Sequence, residues 1–294
     1  MKKIIIQLQG GLGNQLFTYT AGATAASRLG LPVVIDTSEI SSGYTARSFD
    51  LNGLDLPVSF KESRVWRVIS PKFRNISRRL LQRLFPIVFK RFYLVETSIG
   101  YVESLSKLSE GRIIRGYFQS WRYFEDLKKS KGYADIKIKD PSAKWKNLSK
   151  TLRELDPIVV HFRRGDYLTL LDTFGALSEK YFEDGIKLIQ SSLGPSEVWL
   201  FTDGEESINP IFINEYVSKV FSPKAGLSDL ETMMLMSQAK KFVISNSTFS
   251  WWAARLADPE AVVVAPKKWF KGLDDPLDLI PHDWHQIKST WLAK

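Results

Sequence analysis

Apolar residues in this chain gather in short continuous runs, and each run stops at a glycine, an aspartate or a small polar residue. Lys2–Leu8 carries Ile4, Ile5 and Ile6 in succession, the pattern of a strand buried on both faces. Gly10, Gly11 and Gly13 follow, then a helical stretch from about Asn14 to Leu29 closed by Gly30, then a second strand over Leu31–Ile35. Strand, loop, helix and strand in that order predict a βαβ unit. The second half repeats the theme. Strands are expected over Pro157–Phe162, Glu197–Thr202, Phe242–Ser245 and Ala261–Ala265, and helices over Glu179–Ser191, Ser228–Lys240 and Phe249–Ala257. Ser228 with Glu231 three residues on is a capping box.

Between these halves, Lys61–Lys129 reads as mixed and largely helical, with short strands near Tyr93 and Ile113. Lys128–Lys150 is rich in Lys, Ser and Asp and reads as a domain boundary. The expectation is an α/β protein of two Rossmann-like lobes with a cleft between them. Residues 1–150 form one lobe and 151–294 the other, with the tail packing back on the first. In such sheets ligands bind beyond the carboxyl ends of the strands.

Composition adds exclusions. The 294 residues are 44% hydrophobic and 25% charged, enough for an ordinary core. There is no cysteine, which excludes a disulfide framework, thiolate zinc sites and a cysteine nucleophile, and fits a reducing cytoplasm. No segment reaches the roughly 18 unbroken apolar residues of a spanning helix, so a soluble protein is expected. The net charge of +9 favours an anionic partner. Ten lysines and arginines crowd Lys61–Arg91 against Glu62 alone, with Trp66, Phe73, Leu80, Leu84 and Phe85 interleaved. Three readings stay open for this segment: a peripheral contact with an anionic membrane, a solvated helix covering the domain, or a nucleic-acid surface. No nucleic-acid module motif supports the last.

Three motifs can carry chemistry. The loop Gly10-Gly11-Leu12-Gly13-Asn14 feeds a helix N-terminus, where backbone N–H groups and the helix dipole favour an anion. It is also readable as a tight turn only. A third reading is a nicotinamide-binding fingerprint with Asp36 on the ribose, against which Leu16 stands where glycine or alanine is wanted. The second motif, His161-Phe162-Arg163-Arg164-Gly165-Asp166-Tyr167, sits at the end of a buried strand. Paired guanidiniums there can hold a diphosphate and neutralise the charge that grows as it departs; the plainer reading is an ion pair with Asp166. The third, Ser245-Asn246-Ser247-Thr248-Phe249, opens a helix and either binds an anion or caps only itself. Trp251 and Trp252 read as core. Asp203, after a strand, is a candidate partner for a base or ribose. No Asp-x-Asp pair occurs, and the three histidines show no metal spacing, so no metal and no cofactor are expected.

Taken in order, the glycine loop with Leu16 and Phe17, Gly116-Tyr117-Phe118-Gln119-Ser120, His161–Tyr167, Phe201-Thr202-Asp203, Leu235-Met236-Ser237, Ser245–Trp252 and Ala265–Phe270 resemble the bacterial α-1,2-fucosyltransferase family. The resemblance implies a GT-B fold, a GDP-fucose donor in the second lobe and a galactose-terminated oligosaccharide acceptor in the first; the cationic segment suggests that this acceptor is lipid-linked at the inner membrane face, as in surface-polysaccharide assembly. The resemblance also implies inverting transfer with Arg163, Arg164, His161 and Asn14 at the reacting centre. Gly11, Gly13, Asp166, Asp203, Ser245, Asn246, Ser247, Thr248 and Phe249 would surround the donor. Residues 168–177 and Gly204 depart from the usual pattern, which leaves the acceptor open and keeps GDP-colitose as a second donor.

Overall fold

Ile4, Ile5 and Ile6 are buried between neighbouring strands, which is why the chain opens on a sheet. The structure is a computed structural model that describes residues 2–38, 40, 48–63, 80, 83–96, 100–131 and 133–293. Most of the cationic segment 61–91 lies outside the described residues. The chain divides into two compact units: Met1–Lys137 with Pro276–Ile280, and Ile138–Asp275 with Pro281–Lys294.

The first unit holds a parallel sheet of β1 (Ile4–Gln7), β2 (Val33–Asp36), β3 (Phe60–Ser63), β4 (Tyr93–Val95) and β5 (Ile113–Arg115), in the order β3-β2-β1-β5-β4. The long helix α1 (Leu12–Leu29) links β1 to β2 and is buried over most of its surface. Gly22 allows this: a Cβ there would fall 2.4 Å from Ile6 Cδ1, so the missing side chain brings helix and strand into contact. Gly30, at φ +64°, ends α1 by returning its N–H to Ala26 and Ser27. Helices α2 (Pro86–Phe92) and α3 (Trp121–Lys128) complete the elements used below.

In the second unit, β6 (Ile158–Phe162), β7 (Val198–Thr202), β8 (Lys219–Phe221), β9 (Lys241–Val243), β10 (Val262–Pro266) and β11 (His285–Ile287) form a parallel sheet. Its order is β8-β7-β6-β9-β10-β11. The chain runs outward from β6 to β8, then returns to the other side of β6 for β9. That reversal leaves a gap at the carboxyl ends of β6 and β9, where doubly wound sheets take ligands. The helices used below are α4 (Ala143–Leu155), α5 (Glu179–Leu193), α6 (Asp229–Met236) and α7 (Thr248–Arg255). Trp251 and Trp252 are fully enclosed, as expected of core residues. The capping box forms: Ser228 Oγ accepts from Glu231 N at 3.1 Å and the Glu231 carboxylate accepts from Ser228 N.

The two units divide between Lys137 and Ile138, inside the expected boundary segment Lys128–Lys150, whose last third begins α4, capped by Ser142 Oγ accepting from Trp145 N. The helix buries only Ser149 and Leu152, so a narrow apolar stripe is outnumbered by lysines and the stretch looks like a loop in composition. The expected boundary after residue 150 falls inside it.

Candidate functional site

Register decides which side chains meet at the carboxyl end of β6. β6 pairs with β7 so that His161 faces Phe201 and Phe162 faces Thr202. One step further, Arg163 and Arg164 leave β6 beside Asp203 leaving β7. Asp203 accepts from Arg164 N at 2.7 Å through Oδ1 and pairs with Arg163 Nη1 at 2.6 Å through Oδ2. The approach is so close that a Cβ on Gly165 would fall 2.4 Å from Asp203 Oδ2, and one on Gly204 would fall 2.9 Å from Arg164 Cβ. Both glycines of the two strand-end motifs are therefore spatial requirements.

The two adjacent arginines part company. Arg163 points to the partly open side, with its side chain 20% exposed, and its Nη2 donates to Asp166 Oδ1 at 2.5 Å. Arg164 has no exposed surface. Its Nη1 donates to Leu177 O at 2.6 Å, its Nη2 pairs with Glu179 at the start of α5 at 3.2 Å, and its guanidinium lies over the Phe162 ring. The expectation that both guanidiniums share one diphosphate does not fit this geometry. A fully enclosed Arg164 braces the turn, and Arg163 alone is placed to meet a ligand.

His161, at the end of β6, is buried, with its Nδ1 2.8 Å from Ser245 Oγ and its ring stacked 5.5 Å from Phe249. Burial lowers its pKa from 6.5 to about 4; Asp203 opposes the shift and Arg163 adds to it. It is neutral at physiological pH and a weak proton acceptor there, which suits a fixed strut better than a general base. Ser245 is committed to His161, and Ser250 lies 3.4 Å behind it.

Asn246 is fully buried as well. Its Nδ2 lies 3.1, 3.0 and 3.0 Å from the carbonyls of Phe174, Gly175 and Trp269, gathering three loops, and its own carbonyl accepts from Tyr167 Oη at 3.0 Å. Ser247 caps α7 by accepting from Phe249 N at 3.3 Å. Thr248 and Phe249, half-buried in the first turn of α7, are the members of this run with side-chain surface to offer. The second unit thus gathers Arg163, Asp166, Asp203, Thr248 and Phe249 around the reversal, backed by His161, Arg164, Ser245, Asn246 and Ser247.

Gly11, Gly13 and Asn14 belong to the first unit. Gly13 is buried inside α1 and Gly11 is its N-cap, while the conformational demand falls on Gly10, at φ +74°. Asp36 does not await a ribose. It is buried, accepting from Gln7 Nε2 and Ser38 N, both at 3.0 Å, which removes the support for a nicotinamide site. Among the described residues no group of three or more His, Asp or Glu side chains is arranged to hold a metal ion, and no helix is long and apolar enough to cross a membrane. Glu179 and the carbonyl bracket around Asn246 were not anticipated, whereas Ser250 lies inside the expected Ser245–Trp252 run. Only Glu179 left a trace in the sequence, as an acid in the first turn of a helix.

Residues 115–278, more than half of the chain, match Glycosyl transferase family 11. The chain is 28% identical over 308 residues to the Alpha-1,2-colitosyltransferase of Escherichia coli, spanning 98% of this chain and 100% of that one. It is 28% identical over 292 residues to the O-antigen biosynthesis glycosyltransferase WbnK of Escherichia coli, spanning 90% and 94%. The solved structure of Se-Met fucosyltransferase NodZ from Bradyrhizobium aligns with a TM-score of 0.50 at 17% identity, over 87% of this chain and 92% of that one. This likeness bears on fold alone, and it agrees with the GT-B expectation of parallel α/β units.

The two arginines separate in a stability measurement. Arg164→Met takes their partner from the Leu177 carbonyl and Glu179 and is expected to cost about 3 kcal/mol in urea unfolding. Arg163→Met is expected to cost about 1 kcal/mol; equal losses would contradict the placement. For His161 the sign follows from the depressed pKa. The unfolded chain takes up a proton below pH 6.5 and the folded chain does so only near pH 4, so stability present above 6.5 is lost as pH falls toward 4. His161→Asn should flatten that part of the profile, and nitrogen NMR at pH 6 should find the His161 ring uncharged.

Proposed function

We propose that this chain, which belongs to glycosyl transferase family 11, moves L-fucose from GDP-β-L-fucose to the 2-hydroxyl of a galactoside, with inversion and without a metal ion. The observation that carries this reading is Arg163 standing at the sheet reversal with the first turn of α7 beside it. That pairing offers a guanidinium fork and a helix N-terminus to one diphosphate. The C1–O bond to GDP breaks and its electron pair leaves with the diphosphate. The acceptor oxygen closes on C1 from the opposite face and its proton is released. Arg163 takes the charge that accumulates on the leaving group.

In the free protein Arg163 is shared between Asp166 and Asp203, a cluster with one excess negative charge. These contacts engage Nη1 and Nη2 once each, and a diphosphate that takes both nitrogens as a fork displaces a carboxylate. Asp203 is pinned by Arg164 N, whereas Asp166 is the more exposed of the two at 37%. Asp166 therefore yields, and Asp203 keeps the guanidinium aimed. His161, Arg164, Ser245, Asn246 and Ser247 hold the frame.

The colitosyltransferase similarity favours a second donor, GDP-colitose, with the same linkage. Both are GDP-linked deoxysugars, and the argument from Arg163 serves either. WbnK's role in O-antigen biosynthesis supports a lipid-linked oligosaccharide acceptor at the cytoplasmic membrane face. The described end of the cationic segment agrees: Leu84, Phe85 and Ile87 are exposed at 58, 57 and 84%, beside Arg83, Lys90 and Arg91.

Arg163→Ala tests the assignment. Losing one such donor removes about 3 kcal/mol of barrier lowering, on the order of a hundredfold or more in rate. Transfer from GDP-fucose to a galactoside, assayed in EDTA, should proceed in the parent protein and collapse in the variant, which stays folded with a stability loss of about 1 kcal/mol. Near-parental turnover in Arg163→Ala would reject the assignment, and a strict need for added divalent metal would reject the metal-free mechanism.

A further inference from the structure

The first unit has a reversal of its own, between β1 and β5, and the loops beyond those two strands are built with unusual care. After β1, Gly10 takes φ +74°, and a Cβ on it would fall 2.8 Å from Asn14 Nδ2. The glycine thus leaves the space that the Asn14 amide fills. After β5, Phe118 takes φ +51° although it is a bulky aromatic and fully buried. Strain of this kind persists only where the surroundings impose it, and it concentrates at functional sites. Here the Glu96 carboxylate imposes it, accepting from the backbone N–H groups of Tyr117, Phe118 and Gly100 at 2.6, 2.8 and 3.1 Å. Burial raises the Glu96 pKa, and these N–H groups counter the shift.

The strained turn delivers Gln119. Its side chain is nine-tenths buried, and its Nε2 donates to Asn14 Oδ1 at 3.0 Å. The Thr18 hydroxyl ties the same two loops, lying 2.9 Å from both the Asn14 and the Gly116 carbonyl. Gln119 therefore fixes the polarity of the Asn14 amide, oxygen inward and nitrogen outward. Asn14 is half-buried and its Nδ2 has no partner among the described residues; Gln119 Oε1 is likewise unpartnered there. Neither Gly10–Gln15 nor Gly116–Ser120 contains a lysine or arginine. A neutral donor and acceptor of this kind suit uncharged hydroxyl and ether oxygens rather than a phosphate.

We propose that Asn14 presents an N–H donor to an oxygen of the acceptor sugar, that Gln119 is the positioning residue that sets its direction, and that Glu96 holds Gln119 by clamping the Phe118 turn. The assignment rests on the transferase reading for the identity of the sugar. Gln119→Glu keeps the size but offers Asn14 only acceptors, which turns the Asn14 amide around. Gln119→Leu removes the bond and keeps the bulk.

Both variants should raise the KM for methyl β-galactoside by about tenfold or more, the value of a directed hydrogen bond to a neutral ligand. The KM for GDP-fucose and the thermal stabilisation by GDP should stay at parental values. Adding Gln119→Leu to Asn14→Ala should cause no further loss. A galactoside KM unchanged in Gln119→Glu, a parallel rise in both KM values, or additive losses would overturn the proposal. The galactoside is also titrated against each folded protein by saturation-transfer NMR. Absence of transfer in the parent with galactoside binding that Gln119→Glu abolishes would sink the transferase reading and keep the amide site. Transfer with Gln119 variants unaffected would do the reverse. Absence of galactoside binding to the parent would sink the amide site.

Discussion

A carboxylate at the end of one parallel strand, held against the guanidinium at the end of its neighbour, organises the second unit. Asp203 receives the Arg164 N–H and the Arg163 side chain together, and the register of β6 against β7 leaves it no other place to go. Gly165 and Gly204 are consequences of that contact, since side chains there would occupy the same space. The direction of Arg163 is another, because a guanidinium anchored at one nitrogen keeps its remaining donors aimed. The ion pair forms at the carboxyl end of β6, the strand on one side of the reversal, so it borders the natural ligand gap.

Around that contact the structure divides its polar groups by burial. Arg164, His161, Ser245 and Asn246 are enclosed and held by Leu177 and Glu179, by each other, and by three loop carbonyls, although Arg164 Nε and Asn246 Oδ1 have no hydrogen-bond partner among the described residues. Buried polar networks of this kind fix geometry at the cost of desolvation, and they fail badly when half-satisfied. Arg163, Asp166, Thr248 and Phe249 keep some surface. A rigid inner layer holding a few accessible groups is what a site built to stabilise developing charge requires, since donors already in place need no reorganisation during reaction. The first unit follows the same rule with neutral groups, Glu96 and Thr18 fixing what Gln119 and Asn14 present.

Much of this was legible in the sequence, and the remainder has physical reasons for having been hidden. Continuous apolar runs ending at glycine or aspartate located β1, β2, β6, β7 and β10, because strands buried on both faces need no alternation. The same ends located Arg163, Asp203 and the serine run. What periodicity could not reveal was the direction of a side chain beyond its strand. Arg163 and Arg164 look equivalent until register puts one on the accessible side and the other under Leu177 and Glu179. The boundary segment Lys128–Lys150 does hold the division between the units, but the start of α4 inside it went unread because the helix buries a stripe too narrow to stand out among lysines. Phe118 was beyond reach for another reason: a left-handed aromatic depends on Glu96, twenty-two residues earlier, and no local pattern announces it.

The central claim is that the Arg163 reversal is a site for a guanine-linked diphosphate. Thermal unfolding in the presence of GDP, UDP, NAD and NADP tests it most directly, because a ligand that binds only the folded chain raises the midpoint by mass action. The account predicts selective stabilisation by GDP, lost when Asp203 is replaced by alanine. Equal stabilisation by UDP, or stabilisation by a nicotinamide dinucleotide with none by GDP, would contradict it.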